Sequence, residues 1–130
     1  MQLPTKRKGR PLARYCKKDI FLGIPWTVSF LNADVRAELE ALPRDIVASF
    51  LRISRLIEAG GLHEVHEPYV KHLQGVLWEM RLKGKDGIAR AAYVTATGQR
   101  VVIVRVFAKK TQKTPRREIE LALQRAKEVR

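Results

Sequence analysis

Leu77-Trp78-Glu79-Met80-Arg81-Leu82 alternates apolar and charged side chains. That is the period-two pattern of a strand with one face in a core and the other turned outward. Trp78, Met80 and Leu82 are expected on one side, Glu79 and Arg81 on the other. The run lies within residues 71–110, a basic stretch that begins Lys71-His72-Leu73 and ends Lys109-Lys110. After it come Ile88-Ala89-Arg90-Ala91-Ala92-Tyr93 and the apolar run 101–107, set apart by turns at Lys83-Gly84-Lys85-Asp86-Gly87 and Thr97-Gly98. Three strands joined by short turns pair antiparallel. One face of such a sheet can pack on helices. The other can present Arg81, Arg90, Lys109 and Lys110 to an anion.

Upstream, Trp26-Thr27-Val28-Ser29-Phe30 alternates as a half-buried strand. Asn32 can cap a helix over residues 33–42, with Val35, Leu39 and Leu42 on its apolar stripe. Pro43 ends that helix and suits the first turn of the next, where Asp45 favours the N-terminus. Ile46, Val47, Phe50, Leu51, Ser54 and Ile57 follow helical spacing up to Gly60-Gly61, which supplies a C-cap. The two helices make an αα-hairpin, and residues 63–69 read as a connector. Downstream, Thr114 is expected to cap, and Pro115 to start, a last helix with its stripe at Ile119, Ala122, Leu123, Ala126 and Val129. The order β-α-α-β-β-β-α defines an α+β fold: a small antiparallel sheet on an αα-hairpin, with a C-terminal helix. Trp26, Phe30, Phe50, Trp78, Tyr93 and Phe107 are expected in the core.

The 130 residues suit one folded domain, 25–130, behind a basic N-terminal extension, 1–24, expected to be flexible. The net charge of +13 is unevenly spread. Residues 71–130 carry fifteen Lys/Arg against five Asp/Glu, and residues 1–19 carry seven against one, while residues 20–70 are mildly acidic. Such a distribution points to a polyanion partner, nucleic acid or the ribosome surface. The single cysteine, Cys16, excludes an intrachain disulfide, and no apolar run approaches the roughly 20 residues of a membrane span, so a cytoplasmic protein is expected.

A cluster of fixed cations is what phosphodiester cleavage by a neighbouring 2′-OH requires, because the scissile phosphate gains negative charge in the transition state. Glu79 shares the face of Arg81. It can act as general base toward the 2′-OH or, the commoner role, as the salt-bridge partner that orders the arginines. His72, beside Lys71, is a candidate for RNA contact or proton transfer, as against a plain surface histidine. His63, His66 and His72 do not have zinc-site spacing, so no metal and no cofactor are expected.

Leu73-Gln74-Gly75-Val76-Leu77-Trp78-Glu79-Met80-Arg81, then Arg90 with Tyr93, then Phe107-Ala108-Lys109-Lys110-Thr111-Gln112-Lys113-Thr114-Pro115, resembles the phage-derived HigB-like branch of the RelE/ParE toxin superfamily. The resemblance covers about residues 26–129. It implies the toxin of a type II toxin–antitoxin system: a metal-independent, ribosome-dependent mRNA endonuclease whose products end in a 2′,3′-cyclic phosphate. It carries catalytic roles to Arg81, Arg90 and Lys110, and phosphate contacts to Lys71 and Lys109, with Lys113 in the same basic motif. The implied partners are a helix-turn-helix antitoxin, mRNA and the ribosome, with a monomeric toxin inside a hetero-oligomer. Ribonuclease members carry a lysine where this chain has Glu79, and a tyrosine early in the last helix, near Arg116. The general base therefore stays open among Glu79, His72 and a lysine of depressed pKa. A non-catalytic binder, either a ParE-like gyrase inhibitor or a member that only binds antitoxin or RNA, is the alternative. On the endonuclease reading, Arg90→Ala is expected to abolish cleavage without unfolding the protein.

Overall fold

The structure is a computed structural model that describes residues 25–109 and 113–130. The expected extension 1–24, and Lys110, lie outside the described residues. The elements are β1 (Thr27–Phe30), α1 (Ala33–Glu40), α2 (Arg44–Gly60), a 3₁₀ turn (Leu62–Glu64), β2 (Val70–Gln74), β3 (Leu77–Lys83), β4 (Ile88–Ala96), β5 (Arg100–Lys109) and α3 (Arg116–Ala126). The expected order holds in broad terms, and the fold is α+β. One strand is added: β2 follows directly on the expected connector and takes in the start of the basic stretch. The sheet order is β1-β5-β4-β3-β2, with β1 parallel to β5 and all other neighbours antiparallel.

Local chemistry accounts for the helix boundaries. The Asn32 side chain accepts from the Val35 N–H at 3.0 Å, the capping bond expected of it. Pro43 is the N-cap of α2, and Gly61 follows its last residue at φ 92°, a conformation that costs glycine nothing. The start of α3 departs from expectation. Pro115 is the N-cap, and among the described residues no side chain caps the helix. The Thr114 hydroxyl turns toward the sheet instead.

The sheet separates two cores. On one side Met80, Leu82, Ala89, Ala91, Tyr93, Val101, Ile103 and Val106 pack with Val35, Leu39, Ile46, Phe50, Ile53 and Ile57 of the helical hairpin. On the other, Leu77, Ala92, Val94, Val102 and Val104 meet Ala122 of α3, with Ile119, Leu123 and Ala126 beside it. The expected aromatics Phe50, Tyr93 and Phe107 are buried, and Trp26 and Phe30 pack partly buried against the hairpin core. Trp78 departs from expectation. It is 39% exposed, because its cross-strand partner is His72 of the edge strand β2, whose ring meets it edge-on at 5.0 Å.

A bulge in β5 decides which of its later side chains face α3. Ala92 pairs with Arg105, but Tyr93 pairs with Ile103, so Val104 is an extra residue. Before the bulge the even positions Val102 and Val104 face α3. After it Val106 lies in the hairpin core, which sends Arg105, Phe107 and Lys109 to the α3 side. β1 stops pairing at Ile103, so among the described residues β5 beyond it has no strand on that side. Side chains satisfy the backbone there: Val106 N–H donates to Glu38 Oε1 at 3.0 Å, and Arg125 Nη1 donates to Val104 O at 2.9 Å. Arg105 joins Glu38 at 2.9 Å and Glu118 at 2.7 Å, and Arg125 meets Glu38 at 3.0 Å. This network ties α1, β5 and α3 together and fixes where α3 begins.

Candidate functional site

Three rows of side chains cross the α3 side of the sheet. Lys71, Glu79, Ala92 and Arg105 are cross-strand partners in the first, and Arg81, Arg90 and Phe107 in the second. Lys83, Ile88 and Lys109 make the third. Arg81 and Arg90 thus stand directly opposite one another, a like-charge pairing that destabilises a sheet by itself. Glu79 offsets it from the neighbouring row. Its Oε2 accepts from Arg90 Nε at 3.2 Å and lies 3.9 Å from Arg81 Nε. Its Oε1 accepts from the Thr114 hydroxyl at 2.8 Å, and Thr114 Oγ1 accepts from Lys109 Nζ at 3.2 Å. One carboxylate therefore links β3, β4, the end of β5 and the segment leading into α3.

The members differ in access. Glu79, Arg90 and Lys109 are only 1%, 4% and 5% exposed, whereas the Arg81 side chain is 25% exposed and Lys71 is open to solvent. Burial lowers the Arg90 pKa from its usual value, against the stabilising pull of Glu79. Burial also lowers that of Lys109, with the Arg90 charge the next contribution. Among the described residues Arg81 Nε is buried with no hydrogen-bond partner, 3.9 Å from Glu79 Oε2. The geometry offers a partly exposed arginine and an exposed lysine beside a buried, pre-ordered arginine and lysine, which suits a phosphate that gains charge.

The structure brings together Lys71, Glu79, Arg81, Arg90 and Lys109 from the expected set. Glu79 is found as the ion-pair partner of the arginines. His72 is not brought to them: it lies on the opposite face, packed on Trp78, with Nε2 2.8 Å from the Gly75 carbonyl oxygen. Lys113 is exposed one residue before Thr114. Thr114 is the member that the sequence reading missed. A threonine before a proline at the head of a helix reads as a cap, and nothing in the local pattern signals a distant carboxylate. Among the described residues no three His, Cys, Asp or Glu side chains are grouped to hold a metal ion, and no helix is long and apolar enough to cross a membrane.

Among curated proteins none matches the chain. A solved structure, the crystal structure of the archaeal RelE-RelB complex from Pyrococcus horikoshii OT3, is similar at 20% identity and a TM-score of 0.48, over 65% of this chain and 94% of the solved one. Residues 37–127, which include every described member of the cationic cluster, match a family of phage-derived proteins. The chain belongs to the phage-derived Gp49-like family (DUF891).

Proposed function

We propose that this protein is the toxin of a type II toxin–antitoxin pair, of the HigB-like kind, and a metal-independent endoribonuclease that cuts mRNA on the ribosome. The observation that carries the reading is the convergence of Lys71, Arg81, Arg90 and Lys109 around buried Glu79 on one face of the sheet. In this scheme Arg81 and Lys71 hold the scissile phosphate, and Arg90 stabilises the charge it gains. The 2′-oxygen forms a bond to phosphorus as the bond to the 5′-oxygen breaks. Water gives a proton to the departing 5′-oxygen, so the products are a 2′,3′-cyclic phosphate and a 5′-hydroxyl. Glu79 orders the cations rather than taking the proton, since both of its oxygens are engaged. A lysine held below its usual pKa, such as Lys109, suits proton acceptance better. Lys110 is proposed to act with these residues, and Lys113 to contact the RNA backbone. The site works in the cytoplasm, and a helix-turn-helix antitoxin restrains it.

The near-complete burial of Arg90 and Lys109 favours a second reading, in which the network is structural and the protein acts only by binding antitoxin, RNA or gyrase. Inducible expression with primer extension on an abundant mRNA separates the two. The comparison is wild type against Arg81→Ala/Lys71→Ala, which removes the more accessible cations and leaves the buried Glu79, Arg90, Lys109 and Thr114 in place. Growth arrest with discrete cuts inside reading frames, both lost in the variant, supports the endonuclease. Arrest with intact mRNA supports the binder.

A further inference from the structure

Tyr69 precedes β2 by one residue, yet its carbonyl accepts the Arg81 N–H at 2.7 Å. That bond continues the ladder in which Val70 faces Met80 and Lys71 faces Glu79, so Tyr69 stands opposite Arg81. Val70 is buried in the hairpin core, and Lys71 after it points the other way; Tyr69 lies at the bend before β2, where its own N–H donates to the His66 carbonyl at 2.9 Å and its carbonyl alone continues the ladder to Arg81. The second row across the cationic face therefore begins with an aromatic: Tyr69, Arg81, Arg90, Phe107. The two aromatic ends differ. Phe107 is buried, 5.9 Å from the Arg105 guanidinium, whereas Tyr69 is 48% exposed. Trp78, also exposed, belongs to the opposite face with His72. Tyr69 thus stands, about half exposed, at the Arg81 end of this row and two residues before Lys71.

An exposed ring flanked by cations is the arrangement that binds a single-stranded nucleic acid, base on the ring and backbone on the charges. Opposed residues of an antiparallel ladder have Cβ atoms about 5 Å apart, so both groups can reach one nucleotide. We propose that Tyr69 is a base-stacking platform, taking the base of the nucleotide whose phosphate Arg81 holds, with Lys71 on the adjoining phosphate. The choice of RNA as ligand rests on the endoribonuclease reading, to which this adds a subsite and a positioning role. Stacking is tolerant of base identity, so Tyr69 sets register on the strand rather than sequence preference.

The test is binding of the full chain to a mixed-sequence, fully 2′-O-methylated RNA oligonucleotide, which lacks the nucleophile. Affinity is read by fluorescence anisotropy over a salt series, with thermal unfolding to confirm that each variant is folded. Tyr69→Ala should weaken binding by roughly 5- to 150-fold, Tyr69→Leu should weaken it equally, and Tyr69→Phe and Tyr69→Trp should stay within about twofold of wild type. The slope against salt should be unchanged in Tyr69→Ala and reduced by about one in Arg81→Ala. Wild-type affinity in Tyr69→Ala, alongside weakened Arg81→Ala, would overturn the stacking subsite and leave RNA binding standing. Wild-type affinity in Tyr69→Leu would also overturn it, since bulk rather than stacking would then suffice. Loss of antitoxin capture with RNA affinity intact would make Tyr69 a protein contact and refute the proposal. A wild-type protein that binds no oligonucleotide would remove the RNA reading itself.

Discussion

Arg90→Ala should unfold the site before it silences it. Arg90 and Glu79 are both nearly inaccessible and meet at 3.2 Å. Removing one partner of a buried ion pair leaves the other charge uncompensated, at a cost of about 3–5 kcal/mol. Glu79 would keep the Thr114 hydroxyl at 2.8 Å and Arg81 at 3.9 Å, which places the loss at the lower end, about 3 kcal/mol. At roughly 4 °C per kcal/mol for a domain of this size, the melting temperature falls by about 12 °C. Glu79→Gln should also destabilise, because Arg81, Arg90 and Lys109 then lose their shared counter-charge. The double variant removes both halves of the pair and should be more stable than the two single losses added together. Guanidinium unfolding of all four proteins measures this, with an expected coupling of at least about 1.5 kcal/mol. An Arg90→Ala protein within about 1 kcal/mol of wild type, or strictly additive variants, would refute the reasoning. The expectation from sequence, that Arg90→Ala leaves the fold intact, changes for this reason: loss of activity in that variant does not identify a catalytic residue.

Arg81→Ala is the cleaner functional probe. Its ion pair is long and its side chain a quarter exposed, so unfolding should shift by less than about 1 kcal/mol while RNA cleavage falls by at least about tenfold, read by primer extension. Thr114→Val strips a donor from Glu79 and an acceptor from Lys109; it should cost about 1–3 kcal/mol in denaturant unfolding, and Thr114→Ser should restore most of that. Burial holds the Lys109 ammonium below its usual pKa, so below the unfolded value near 10.4 the unfolded chain binds more protons and stability rises with pH. Lys109→Met should remove that rise in a stability–pH series. The buried Tyr93 phenol is pushed up to about 12. Stability should therefore fall between about pH 10 and 12, where the unfolded tyrosine has already ionised, and Tyr93→Phe should abolish the fall.

The faces of β3 and β4 were legible because strict alternation leaves one answer: Met80 and Leu82 go to the hairpin core, Glu79 and Arg81 to the other side. The helical hairpin was legible for the same reason, with Asn32 and Gly61 marking its ends. β2 was not, since Val70-Lys71-His72-Leu73-Gln74 is half exposed and its pattern is broken by a register shift. Without β2 there is no reason to set Lys71 against Glu79, or Tyr69 against Arg81. The place of Lys109 was harder still. Counting alternation from Val101 or Ile103 puts Lys109 in the hairpin core. The extra residue Val104 reverses that phase, and no glycine or proline marks the bulge. What stabilises it is remote in sequence, the Glu38 carboxylate and the Arg125 guanidinium on the freed backbone groups.

The bulge joins the stability of the fold to the chemistry of the face. Arg105, just past Val104, anchors α3 through Glu118, and α3 begins just after Thr114, whose hydroxyl connects Lys109 to Glu79. A change at Glu38 or Arg125 therefore acts on Lys109 without touching it, by loosening the segment that sets its phase. A buried ionic network is seldom more stable than the well-packed apolar side chains that would replace it. Here it also sets two arginines opposite each other, which a sheet disfavours. Retaining such an arrangement conflicts with simple packing, and conflicts of that kind concentrate where a protein meets its ligand. A phosphate beside Arg81 and Lys71 adds negative charge to a cluster in which, among the described residues, Glu79 stands among Lys71, Arg81, Arg90 and Lys109. Anion binding should accordingly stabilise the fold and relieve the Arg81–Arg90 opposition. Inorganic phosphate or a short RNA should raise the melting temperature of wild type, and the Arg81→Ala/Lys71→Ala protein should show a much smaller rise.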